Sequence, residues 1–178
     1  MNAEHASGLR IGLKGFRDEP WIEGFFPNDL PEEWRLSYYA NEFCALTINA
    51  RDWMALDAAD VEEWLEERGT RFELLLLNAD AAGLDRAALL GRLDVSAVRA
   101  RCVEGSDGGF WMPDTACDPA VRDALVFADE ALTTRRLRSR MESFGRHLNG
   151  RSGRLFFHGP DAVRAAREAK VLAGLLGY

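Results

Sequence analysis

Short apolar runs alternate with longer stretches in which apolar residues recur every three or four positions. The first run, "LRIGLKGF" (9–16), sets Leu9, Ile11 and Leu13 at a period of two and predicts a strand. A helix is expected from about Pro31, with Asp29 or Asn28 as N-cap and Glu32 and Glu33 at the positive end of its dipole. Trp34 and Tyr38, with Leu36 or Phe43, would form its buried face. "CALTINA" (44–50) predicts a second strand. In "DAADVEEWLEER" (57–68), Val61, Trp64 and Leu65 mark an amphipathic helix that Gly69 would end. "FELLLLN" (72–78) predicts a third strand, and its unbroken leucines imply burial on both faces, as in a parallel sheet covered by helices.

The alternation continues with a helix over 85–93, a strand over 96–104 and a Gly-rich loop over 105–119 that carries Phe110 and Trp111. The segment 124–130 reads either as a strand or as the middle of a helix begun at Pro119. Thr133 or Thr134 would cap a helix running to about Leu148. "GRLFFHG" (153–159) predicts a last strand and 161–178 a last helix with Asp161 near its start. Strand-helix alternation throughout is the signature of an α/β domain. A βαβ unit takes about 30 residues, so 178 residues hold about six units. A standard eight-unit barrel needs ~250 residues. We expect one domain over 8–178, behind an N-terminal tail of residues 1–7, with no interdomain linker.

Composition narrows the function classes. Hydrophobic residues at 47% and charged residues at 29% are ordinary globular values. The formal charge of −7, from 29 acidic and 22 basic side chains, argues against nonspecific nucleic-acid binding, which needs a positive surface to displace counterions. The arginines of "TTRRLRSR" (133–140) read as a solvated helix face. Cys44, Cys102 and Cys117 form no CxxC pair, which argues against a disulfide framework or a zinc site and for a reducing compartment. No run approaches the ~18 apolar residues of a membrane span. The expectation is a cytoplasmic protein without a cofactor, with no nucleic-acid or membrane partner.

A set of aromatic motifs adds a resemblance. "GLKGF" (12–16), Trp21, "FFP" (25–27), "YANEF" (39–43), "TIN" (47–49) and "VEEWLEERGTRFELLLL" (61–77) follow, in order, the opening of the YecE-like family, known as domain of unknown function 72. "RLFFHGPDAVRAAREAKVLAGLL" (154–176) is similar to that family's closing strand and helix. The resemblance implies a TIM-type barrel, here TIM-barrel-like and reduced to about six parallel strands, with a short, divergent middle over about 80–150. It also marks departures at strand ends. Lys14 stands where the family has Ser, Thr47 where it has Glu, Asp52-Trp53 for Phe-Tyr, Leu77 or Asn78 for Lys, and His158-Gly159 for Asn-Asn, while Asn49 is retained. Scaffold residues persist and polar ones change, which favours a binding or interaction module without established catalysis. The alternative is a small-molecule enzyme acting on a phosphorylated or sugar-like substrate.

In parallel sheets sites form at the carboxyl ends of the strands. Lys14 is one of two lysines among the 22 basic residues, and between two glycines it suits a contact to a small anionic ligand. His158, leaving the last strand, suits proton transfer. These two are the candidate catalytic residues. Asn49, Arg51, Asp52, Asn78 and Arg101 are candidate substrate contacts, and Trp111 could close over a ligand. Each competes with the plainer reading that polar residues begin where buried strands stop. Three scattered histidines, His5, His147 and His158, make no metal site. "GSDGG" (105–109) lacks both GxGxxG and Walker spacing. Trp21, Phe25 and Phe26 are expected to fold back over the first helix as structural aromatics. A barrel lacking units leaves an open edge, so a homodimer is expected, with the last helix (Val171, Leu172, Leu175, Leu176, Tyr178) and the Phe110–Trp111 loop as candidate interfaces. Should the shortened middle close the gap within one chain, those loop aromatics would lie in the core instead.

Overall fold

The computed structural model describes residues 8–16, 19–49, 72–77, 101–103, 110–112 and 119–178. The tail 1–7, the helices expected over 57–68 and 85–93, and most of the loop 105–119 lie outside the described residues. Strands β1 (Leu9–Lys14), β2 (Ala45–Asn49), β3 (Glu73–Leu77), β4 (Arg101–Val103), β5 (Asp123–Phe127) and β6 (Gly153–His158) form one sheet in the order β4-β3-β2-β1-β6-β5. Every pairing within it is parallel. The ambiguous segment 124–130 is therefore strand as far as Phe127, set by its ladder with β6.

Helices α1 (Arg35–Glu42), α2 (Thr134–Leu148) and α3 (Ala162–Leu176) pack on one face of this sheet. That face presents Ile11 and Leu13 of β1, Leu46 and Ile48 of β2, Ala124 and Val126 of β5, and Leu155 and Phe157 of β6. α2 answers with Leu137, Met141, Phe144 and Leu148, a spacing of three and four that leaves its arginines outward. Thr133 caps it, its hydroxyl accepting from the Arg136 amide at 3.4 Å. α3 buries only alanines, at 162, 165, 166, 169 and 173, so its backbone can lie close to the strands.

The first helix departs from expectation. It opens with a 3-10 turn over Glu32–Trp34 behind Pro31, and neither Asn28 nor Asp29 caps it. The buried face is Leu36, Tyr39 and Phe43, while Trp34 and Tyr38 are exposed. The tighter opening turn shifts the phase, and Tyr39 has the decisive anchor. Its hydroxyl accepts from the Leu13 amide at 2.8 Å and donates to the Ala45 carbonyl at 2.7 Å, tying helix to β1 and β2. Trp21, Phe25 and Phe26 do fold back onto this helix. All three are buried, with Phe25 and Tyr39 rings 6.0 Å apart. They are scaffold.

The opposite face of the sheet carries the alternate residues, and among the described residues no helix covers it. It covers itself. Ala45 of β2, Leu75 of β3, Leu125 of β5, Phe156 of β6 and Phe110 form one buried cluster. Below them Arg154 of β6 pairs with Asp123 of β5 and reaches Glu73 of β3 at 2.9 Å, across the two strands between, and Arg10 of β1 also pairs with Glu73. The sheet is thus curled around this inner face. Gly12 sits at the tight point, where a Cβ would come within 1.8 Å of the Ala45 carbonyl oxygen.

Candidate functional site

The inner face is layered along the strands. At the amino ends lie Arg10, Arg154, Asp123 and Glu73; in the middle lies the apolar cluster; at the carboxyl ends the side chains become polar again. Register defines this last row. Thr47 pairs with Lys14, Phe127 pairs with His158, and Leu13 pairs with Phe157, which sets Lys14 beside His158 on adjacent strands. Thr47, Lys14, His158 and Phe127 therefore follow one another across four neighbouring strands.

Lys14 is held from both sides. Its carbonyl accepts from the Trp21 indole at 3.0 Å, so the buried aromatic loop fixes the strand end that carries it. The chain then turns at Gly15, with φ at 77°, where the amide donates to Thr47. That glycine also makes room for an acid, since a Cβ there would meet the Glu19 side chain at 2.5 Å. Glu19 lies over the strand end with Oε1 3.8 Å from Lys14 Nζ, an ion pair longer than a hydrogen bond.

Electrostatics separate the roles of these groups. Burial pushes the Glu19 carboxyl above the usual carboxylate range, and the Lys14 ammonium opposes part of that rise. Burial pulls His158 below the ordinary imidazole value, and Lys14 pulls it further. His158 is consequently neutral at pH 7, one ring nitrogen donating and the other accepting. Its ring meets Phe127 edge-to-face at 5.1 Å. Phe127 itself is 51% exposed, an unusual setting for a phenyl ring on a strand's inner face.

The expected site residues separate clearly. Lys14 and His158 are brought together. Asn49 ends β2 two positions beyond Thr47, and Arg101 pairs in register with Leu75, which in turn pairs with Thr47. Their side chains lie outside the described residues, as do Arg51, Asp52 and Asn78 altogether. Trp111 is a correction. It bridges in parallel to Ala124, is buried, and packs on Phe144 of α2 at 5.3 Å, so it is core and cannot close over a ligand. Phe110 is buried against Phe156, and this pair of aromatics is likewise removed from any interface between copies. Glu19 and Phe127 are the additions. Phe127 was within reach of the alternation Asp123, Leu125, Phe127, had 124–130 been read as a strand; Glu19 sits in a turn that no periodicity reveals. Among the described residues no group of three or more His, Cys, Asp and Glu could hold a metal ion.

Residues 10–77 match the family described as protein of unknown function DUF72. This N-terminal region is thus similar to the DUF72, or YecE-like, family. The shape agrees over more of the chain. The crystal structure of a DUF72 family protein from Thermotoga maritima superposes with a TM-score of 0.61, covering 92% of this chain and 98% of that one. At 11% identity the likeness is one of fold. No curated protein matches the chain. The DUF72 match includes Lys14, Glu19 and Thr47, whereas His158 and Phe127 lie beyond it. No helix among the described residues is long and apolar enough to cross a membrane.

Proposed function

We propose that this DUF72-type chain binds a small anionic ligand at the carboxyl ends of its strands. Lys14 is the anion contact and His158 the neutral hydrogen-bonding neighbour. The observation that carries the reading is the Lys14–His158 adjacency on β1 and β6, with the Lys14 ammonium only loosely satisfied by Glu19 at 3.8 Å. A half-buried ammonium with a long ion pair can exchange that partner for a better acceptor. Titration calorimetry with inorganic phosphate tests it. Wild type should bind, Lys14→Ala should lose most of the affinity, and His158→Ala should weaken it; equal heats from wild type and Lys14→Ala would end the proposal.

A second reading, an enzyme acting on a phosphorylated or sugar-like substrate, is favoured by one feature. Burial raises the proton affinity of Glu19, as a carboxyl that works as a general acid or base requires, and Lys14 lies between it and the titratable His158, ion-paired to the one and one strand away from the other. His158 would transfer the proton, Lys14 would hold the anion and Asn49 would orient the substrate. The scaffold for either reading is a reduced TIM-type barrel, supported by the sequential strand order β4-β3-β2-β1-β6-β5 and the self-covered inner face. We retain the homodimer in a cytoplasmic setting, with the outer face of α3, where Val171 and Leu175 are exposed, as the contact.

A further inference from the structure

Phe127 is the feature of the strand ends that an anion site alone leaves unused. It is set by β5 on the inner face, in register with His158, and beyond its contact to that histidine about half of the residue is open to solvent. Exposed aromatic surface is costly in water, and here it lies in the same row as a cation and a neutral imidazole, with the Glu19 carboxylate beside the cation. β5 and β1 are separated only by β6, so the Phe127 and Lys14 positions stand two strand spacings apart, roughly 10 Å. That span suits one ring carrying one charged group.

Resting on the anion-binding reading above, we propose that the ligand is a phosphorylated sugar, with its phosphate on Lys14, its hydroxyls on His158 and Glu19, and the apolar face of its ring stacked on Phe127. The groups between the cation and the phenyl ring decide the class. His158 stands there, and a neutral imidazole can donate and accept, while the Glu19 carboxylate beside Lys14 adds an acceptor for hydroxyl groups at the edge of the row, a set that matches a polyhydroxylated ring. A nucleotide would present an aromatic base to Phe127 but offer few hydroxyls to Glu19 and His158. Aromatic stacking of this kind adds a modest increment to affinity, on the order of fivefold to tenfold.

The test is calorimetry with four probes: inorganic phosphate, a hexose phosphate, the unphosphorylated hexose and a nucleoside monophosphate. Wild type should bind the hexose phosphate about tenfold more tightly than phosphate, and more tightly than the nucleotide. Phe127→Leu, a change at an exposed position, should bring the hexose phosphate down to the affinity that the same variant shows for phosphate, while Phe127→Tyr should retain the increment. Lys14→Ala should lose both. If wild type binds phosphate and hexose phosphate equally, or Phe127→Leu binds the sugar phosphate as wild type does, the stacking inference falls and the anion site stands. A preference for the nucleotide overturns the sugar assignment. Failure of wild type to bind either phosphate or hexose phosphate overturns both readings.

Discussion

Replacing Arg154 by Met removes the centre of the charged layer at the amino ends of the strands. Arg154 is 7% exposed, Asp123 4% and Glu73 9%, so the three groups have little water to fall back on. Burial disfavours the Arg154 charge, but Asp123 and Glu73 more than offset it and raise its pKa. Removing one partner of a buried ion pair costs about 3–5 kcal/mol, because the other charge is left uncompensated. Here the loss is uneven. Glu73 keeps Arg10, which reaches it from β1, whereas Asp123 loses the guanidinium that paired with it. One stranded carboxylate places the cost near the lower figure, about 3 kcal/mol, or a fall in Tm of roughly 6–12 °C for a chain of this size. Urea unfolding followed by tryptophan fluorescence and circular dichroism measures it. The double variant Arg154→Met, Asp123→Asn should recover part of the loss, since the stranded charge is gone. A loss below about 1 kcal/mol, the range of exposed pairs, would refute the view that this layer is shielded by the curled sheet.

Tyr39→Phe should cost about 1–3 kcal/mol in the same assay, because it strands the buried Leu13 amide and leaves the Ala45 carbonyl without its hydroxyl donor. Gly12→Ala should be more damaging than a substitution on the helix-covered face, since its Cβ would overlap the Ala45 carbonyl; a variant as stable as wild type would mean the sheet opens there at no cost. His158 gives a pH dependence. Its folded-state pKa lies below the unfolded value near 6.5, so the unfolded chain binds the proton first, and wild-type stability should fall as pH drops below that value. His158→Gln should remove that part of the fall, and parallel stability curves for the two proteins would count against it. Light scattering at micromolar concentration should give twice the chain mass, and Val171→Glu with Leu175→Glu should return it to one; a monomeric wild type would remove the α3 contact.

Much of the architecture was legible because buried parallel strands leave strong marks. "GRLFFHG" became β6 with Leu155, Phe156 and Phe157 all buried, the middle one inward and its neighbours towards the helices. Thr133 announced α2. The first helix was misphased because Trp34 and Tyr38 are larger and more apolar than much that surrounds them, and pattern alone favours burying them. A 3-10 entry and a hydrogen-bonded Tyr39 overrode it. Of the site, Lys14 and His158 were visible as polar residues at strand ends, but their adjacency depends on β1 pairing with β6, a contact between the two ends of the chain. Trp111 was misread because its Gly-rich setting resembles a loop, and the bridge to Ala124 that buries it is set by tertiary pairing. Phe127 stayed hidden behind a segment whose strand and helix readings were balanced.

The central claim is that an anion binds where Lys14 and His158 meet, and the histidine ring reports on it directly. Proton NMR of the His158 ring, assigned by comparison with His158→Gln, can be followed across pH with and without saturating phosphate. The account predicts a free-protein midpoint below the ordinary imidazole value, as burial and Lys14 require, and a move to higher pH when phosphate neutralises the ammonium beside it. A midpoint at or above the ordinary value in the free protein, or one that phosphate leaves unmoved, would contradict it.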